Sequence, residues 1–114
     1  MKYYWLRYTD NMDENFAGIT RAFVISIRPK YKDDKGLLEH EKTHVRQWYK
    51  TLGLHGLLYA FWRTYRLNCE LEAYKEQMQY APDLKVAVDK FADFLANKYG
   101  LDITIDRAVY LLRG

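Results

Sequence analysis

Two histidines one helical turn apart, with a glutamate beside the first, can hold a metal ion and work on a water bound to it. Residues 37–48 carry that arrangement, as Leu37-Leu38-Glu39-His40-Glu41-Lys42-Thr43-His44-Val45-Arg46-Gln47-Trp48. On a helix, positions i and i+4 project about 40° apart, so His40 and His44 lie side by side. Both can then reach one tetrahedral ion at about 2.0–2.1 Å, and zinc is the expected ion. Glu41 stands about 100° round from His40, too far off that axis for a comfortable ligand. It suits a general base acting on the bound water.

A catalytic zinc needs a third protein ligand and an open fourth position. The spacing His-x-x-Gly-x-x-His would put another histidine at position 50, where the chain has Lys50, so that class is excluded. The segment Asn68-Cys69-Glu70-Leu71-Glu72-Ala73-Tyr74 supplies candidates. Glu70 and Glu72 point about 200° apart on a helix, so at most one faces the metal. Glu70 shares its face with Leu67, Leu71, Tyr74 and Met78, where an unpaired carboxylate would be costly and a zinc ion would offset that cost. Glu72 points with Lys75, Glu76 and Gln79 toward solvent. Glu70 is therefore the expected ligand and Glu72 the alternative. A thiolate from Cys69 would require that residue to face inward instead, and its ordinary role is a small buried hydrophobe. His55, in the Gly53-Leu54-His55-Gly56 turn, suits a cap or an oxyanion stabiliser better than a ligand. Tyr59, Tyr65 and Tyr74 compete with it for the stabilising role.

These residues need elements to position them. The period-2 pattern of Phe23, Ile25 and Ile27 predicts a strand over 21–28, ended by Pro29. Asp33 or Asp34 can cap a helix over about 35–50, with Leu37, Leu38, Val45, Trp48 and Tyr49 as its buried stripe. A second helical stretch starts near 55 and either breaks near Arg66–Asn68 or runs on to Ala81–Pro82. An amphipathic helix is expected over 83–99, with Leu84, Val88, Phe91, Leu95 and Tyr99 on one face. Residues 3–8 read as a short strand or an irregular arm, 10–18 as a loop, and the tail as a short strand or turn followed by a helical turn or two. The fold class expected is a small α+β domain, mainly helical, with a short antiparallel sheet.

The whole chain of 114 residues fits one domain. A net charge of +3, with Lys and Arg spread throughout, disfavours nucleic-acid binding. One cysteine excludes an internal disulfide framework and fits a reducing compartment. The N-terminus lacks an apolar export signal, so a cytoplasmic location is expected. No apolar run reaches the ~18 residues of a membrane span. The longest, Leu52 to Trp62, reads as a buried helix, with an interfacial one as the alternative.

His40-Glu41-x-x-His44 followed by Glu70-x-x-Ala73 on a second helix resembles the gluzincin zinc metallopeptidases, above all the minigluzincins. Gly36–Trp48 with Arg66–Gln77 is also similar to small phage and bacterial proteins described as metallopeptidases. The resemblance spans roughly residues 20–80, and the first motif is the more specific. It implies a zincin-like fold, zinc held by His40, His44 and Glu70, Glu41 polarising the water, and a peptide or protein substrate. It further implies that the strand at 21–28 is an edge strand to which an extended peptide adds. The family often has aspartate four residues after the ligand glutamate, as a partner for a ligand histidine; here Tyr74 stands there. Glu39, Thr43 or a backbone carbonyl would have to substitute. Two rival readings are a zinc protein without hydrolytic activity and a non-enzymatic interaction module. Oligomeric state is not legible.

Overall fold

The aromatic N-terminal segment forms a strand rather than an irregular arm. In the computed structural model, which describes residues 2–114, β1 (Trp5–Tyr8) pairs in parallel with β3 (Val24–Ile27). β2 (Gly18–Arg21) pairs with the other side of β3, antiparallel, giving the order β1-β3-β2. The sheet is therefore mixed, not antiparallel, and the strand expected over 21–28 is shorter and central. A tight turn at Ala22 and Phe23 cuts it off, with Ala22 at φ 55, in the left-handed region that favours glycine. β3 has a neighbour on each side, so Ile25, Ser26 and Ile27 are all buried instead of alternating. The two edges belong to β1 and to β2, and β2 is the strand hidden in what reads as the end of a polar loop.

That loop is held from one point. The Arg28 guanidinium donates to the carbonyls of Asp10, Met12, Asp13 and Phe16, and to the Asp10 carboxylate. A 3-10 turn at Pro29–Tyr31 then leads into α1 (Lys35–Lys50). α1 begins where expected, because the Asp34 carboxylate accepts from the Leu37 N–H at 2.9 Å. Its buried face is not the expected apolar stripe. Leu37 and Val45 are buried, but they share the helix interior with His40, Glu41, Thr43, His44 and Gln47. Tyr49 is exposed and its hydroxyl donates to the Tyr3 carbonyl. Leu52 and Gly53, both at positive φ, turn the chain out of α1.

α2 (His55–Phe61) ends at Trp62, whose extended backbone separates it from α3 (Arg63–Met78). The break thus falls ahead of the expected Arg66–Asn68. The apolar run 52–62 is not a buried helix: no residue of α2 is buried. Among the described residues, no helix is long and apolar enough to cross a membrane. α4 (Leu84–Asn97) is capped by Asp83, with Val88, Phe91 and Leu95 buried as expected and Leu84 exposed. α5 (Ile105–Arg113), capped by Thr104, turns the tail into a helix that buries Ala108 and Leu112.

Two apolar clusters result. Ile25, Ile27, Leu37 and Val45 join the sheet to α1. Tyr74, Val88, Phe91, Leu95, Leu101, Ala108 and Leu112 join α3, α4 and α5. Each large aliphatic or aromatic side chain buried this way contributes about 1.5–3 kcal/mol. α1 crosses α3 between the clusters, and Gly36 allows the close approach: a Cβ there would lie 3.2 Å from the Gln77 carbonyl oxygen.

Candidate metal centre

The polar face of α1 meets the polar position of α3 at this crossing. His40, His44 and Glu70 are all nearly fully buried, and each offers one ligand atom within 4.8 Å of the others. His40 Nε2 stands 3.4 Å from Glu70 Oε1, and His44 Nε2 stands 3.3 Å from Glu70 Oε2. Ligands about 2.05 Å from a tetrahedral ion are separated by about 3.3 Å, so these spacings fit one. Glu70 Oε1 has no hydrogen-bond partner although it is buried, as expected of an atom shaped to bind a cation. The buried His40/His44/Glu70 group can hold a metal ion.

The electrostatics agree. Burial works to raise the Glu70 pKa, but the His44 charge and the close approach of both histidine rings outweigh it and hold the carboxyl below its usual range. Burial likewise works to lower His44, yet the Glu70 carboxylate, Glu41 and Gln47 together lift it to about 9. A cation is therefore favoured at this point.

Glu41, also buried, stands outside the ligand group, its Oε2 3.9 Å from His40 Nε2. Thr20 of β2 fixes it, donating to Oε1 at 2.8 Å. The four residues line a cleft of about 530 Å³, bounded by Gly18, Ile19 and Thr20 of β2 and by His55, Gly56, Tyr59 and Ala60 of α2. Glu41 thus faces the same space as the three ligand candidates.

The remaining site expectations separate. Glu72 does not join the group; it accepts from Gln47 Nε2 at 2.7 Å. Cys69 is buried and outside the group, and burial raises its thiol to about 11, so it stays neutral. His55 lines the cleft without joining the ligands; its Nδ1 is 2.8 Å from the Tyr65 hydroxyl. Burial and the nearby His44 charge lower His55 to about 4, so it is a neutral imidazole at pH 7. Tyr65 is absent from the cleft wall and stands behind His55. Tyr74 packs edge-on against the His40 ring, centroids 4.4 Å apart, and its hydroxyl meets that of Tyr99. Tyr59 is the tyrosine that reaches the ligand set, donating to Glu70 Oε2 at 2.5 Å.

The partner for a ligand histidine is none of the expected substitutes. Glu39 pairs with Lys42, and Thr43 donates to the Glu39 carbonyl. Gln47 performs that role instead, one turn further along α1. Its Nε2 donates to the Cys69 carbonyl and the Glu72 carboxylate, both of which can only accept. Its Oε1 must therefore face His44 Nδ1, 2.8 Å away. That puts the Nδ1 proton on the Gln47 side and leaves Nε2 to present its lone pair to a metal. His40 Nδ1 has no such partner. Arg66 also escaped the sequence reading. Its guanidinium donates to the carbonyls of Tyr59, Ala60 and Gly100, tying α2 to the body of the fold.

Comparisons of the chain with protein-family models, with curated proteins and with solved structures found no match.

Proposed function

We propose that this chain is a minimal zinc metallopeptidase of the gluzincin kind, with a zincin-like arrangement of active-site helix and glutamate helix. The observation that carries the reading is the conjunction at one cleft. Three buried ligand candidates offer ligand atoms within 4.8 Å of one another, with a fourth buried group, Glu41, held beside them by Thr20. His40, His44 and Glu70 would hold the ion. When bound, zinc supplies a Lewis acid and brings the pKa of its water to about 7.

The chain's own groups do the rest. Glu41 accepts the proton of the attacking water and passes it to the leaving amine. The hydrogen bond from Thr20 to Oε1 leaves Oε2 for that transfer. His55, neutral and steadied by Tyr65, is the wall group suited to donate to the oxyanion; Tyr59 is engaged by Glu70. An extended peptide would add to the free edge of β2, beside Glu41, rather than to the central strand β3.

One observation favours the rival reading of a zinc protein that does not cleave. His40 lacks an orienting partner, because Tyr74 fills the position from which a carboxylate would reach it. Metal content by plasma mass spectrometry, paired with mass-spectrometric analysis of a mixed peptide pool, separates the readings. Hydrolysis by wild type, with zinc kept and cleavage lost in Glu41→Gln, supports the peptidase. Zinc without cleavage in wild type supports the rival. A wild-type chain that takes up no zinc overturns both.

A further inference from the structure

The apolar run Leu52–Trp62 is left uncovered. Leu54, at the N-cap of α2, and Leu57 and Phe61 on it fall within a stripe about 60° wide, and they are 56%, 60% and 84% exposed. Leu52, just before the helix, is 92% exposed and Trp62, just after it, is half exposed. His55 and Tyr59 point the other way, into the cleft. Leu52 is telling, since neither burial nor its left-handed backbone favours a leucine there.

The shape and charge of this crest select its partner. Exposures this high describe a ridge that projects from the surface, not a groove. The ridge is about 10 Å long and about 10 Å wide, far short of the roughly 800 Å² per partner that a stable protein interface needs. A bilayer takes apolar side chains one at a time, by depth rather than by complementary area. From Thr51 to Cys69 the sequence contains no Asp or Glu. Lys50 and Arg63 flank the ridge, both exposed; Arg63 is ion-paired with Asp102 at 3.5 Å, an exposed pair weak enough for a lipid phosphate to replace. Arg66 is spent on backbone carbonyls.

We propose that α2 is a peripheral membrane contact, inserting Leu52, Leu54, Leu57, Phe61 and Trp62 into an anionic lipid surface with Lys50 and Arg63 at the headgroups. The contact forms one lip of the cleft, so docking would set the metal centre close to the lipid. It is independent of metal binding.

The test is co-sedimentation of the full chain with vesicles of phosphatidylcholine alone and with 30% phosphatidylglycerol. Binding should be stronger on the anionic vesicles, by about fivefold for each basic residue engaged, and should weaken with salt. Leu57→Gln/Phe61→Gln should lower the partition about tenfold or more, with circular dichroism unchanged. Should that variant fold poorly, quenching of wild-type tryptophan fluorescence by brominated lipid, lost in Trp62→Phe, supports the same contact. No binding to either vesicle overturns the proposal. So does self-association in sedimentation velocity that Leu57→Gln/Phe61→Gln abolishes while vesicle binding is absent, which would make the ridge a contact between copies.

Discussion

Replacing Gln47 by methionine keeps volume and helix propensity while deleting every hydrogen bond the amide makes. The structure gives the consequence for both stability and metal. The His44 Nδ1–H loses its partner inside the protein, the Cys69 carbonyl keeps only its bond within α3, and Glu72 loses its donor. Each buried unsatisfied group costs about 1–3 kcal/mol. One such group, with the two further bonds lost, gives a loss of about 2 kcal/mol. Metal affinity should fall about 10- to 100-fold, because His44 is no longer held in the tautomer that offers Nε2. Gln47→Glu separates the two effects. Its carboxylate still accepts from His44 Nδ1–H and raises the basicity of the ring, so metal affinity should hold or rise. Stability should nevertheless drop, since an acceptor now faces the Cys69 carbonyl and the Glu72 carboxylate. Urea denaturation of the metal-free protein reads the first quantity and zinc competition against a chromophoric chelator reads the second. Affinity within twofold of wild type in Gln47→Met, or an equal loss in both variants, would refute the orienting role.

Metal uptake should depend on pH with a definite sign. His44, at about 9 in the metal-free chain, must release a proton to bind metal, so apparent affinity should rise about tenfold per pH unit up to that point. A chelator titration at several pH values checks the slope. The metal-free fold has its own window. The raised His44 contributes stability that is complete below its ordinary value of 6.5 and lost as pH climbs through about 9. The depressed Glu70 contributes stability present above 4.5 and lost as pH falls. Urea midpoints of apo protein should therefore peak between pH 4.5 and 6.5. Ala22→Gly should stabilise by about 1 kcal/mol, by relieving a left-handed alanine, as a shift in the same midpoints shows. Arg28→Met should leave helicity intact but release the 10–16 loop from its carbonyl ties, so limited proteolysis should cut there first.

The site was more legible than its surroundings, for physical reasons. His40, Glu41 and His44 are local: one helix and its 3.6-residue period bring them together, and Asp34 marks where that helix starts. Glu70 was legible because a carboxylate in an apolar stripe demands a reason. Thr20 and β2 were not, since a four-residue strand after a polar loop carries no periodic signal and exists only through pairing with β3. Gln47 was read past for a related reason: its role depends on Cys69 and Glu72 arriving from another helix. The Leu52–Trp62 run misled because hydropathy reports what a segment would prefer, while burial depends on whether anything covers it. Among the described residues none covers Leu52, Leu54, Leu57, Phe61 or Trp62.

The two apolar clusters have a further consequence, for cooperativity. α1 carries one cluster and α3 the other, and His40, His44, Gln47 and Glu70 make polar contacts across the crossing of these helices. Apolar cores that share a polar seam can open separately, as two units of unequal stability. An ion bound by two residues of one unit and one of the other would be a rivet across that seam. Native-state hydrogen exchange should then find amides of β3 and α4 exchanging through different openings in the apo chain and through one common opening once metal is bound. Catalysis aside, the metal would decide whether this small fold behaves as two halves or as one.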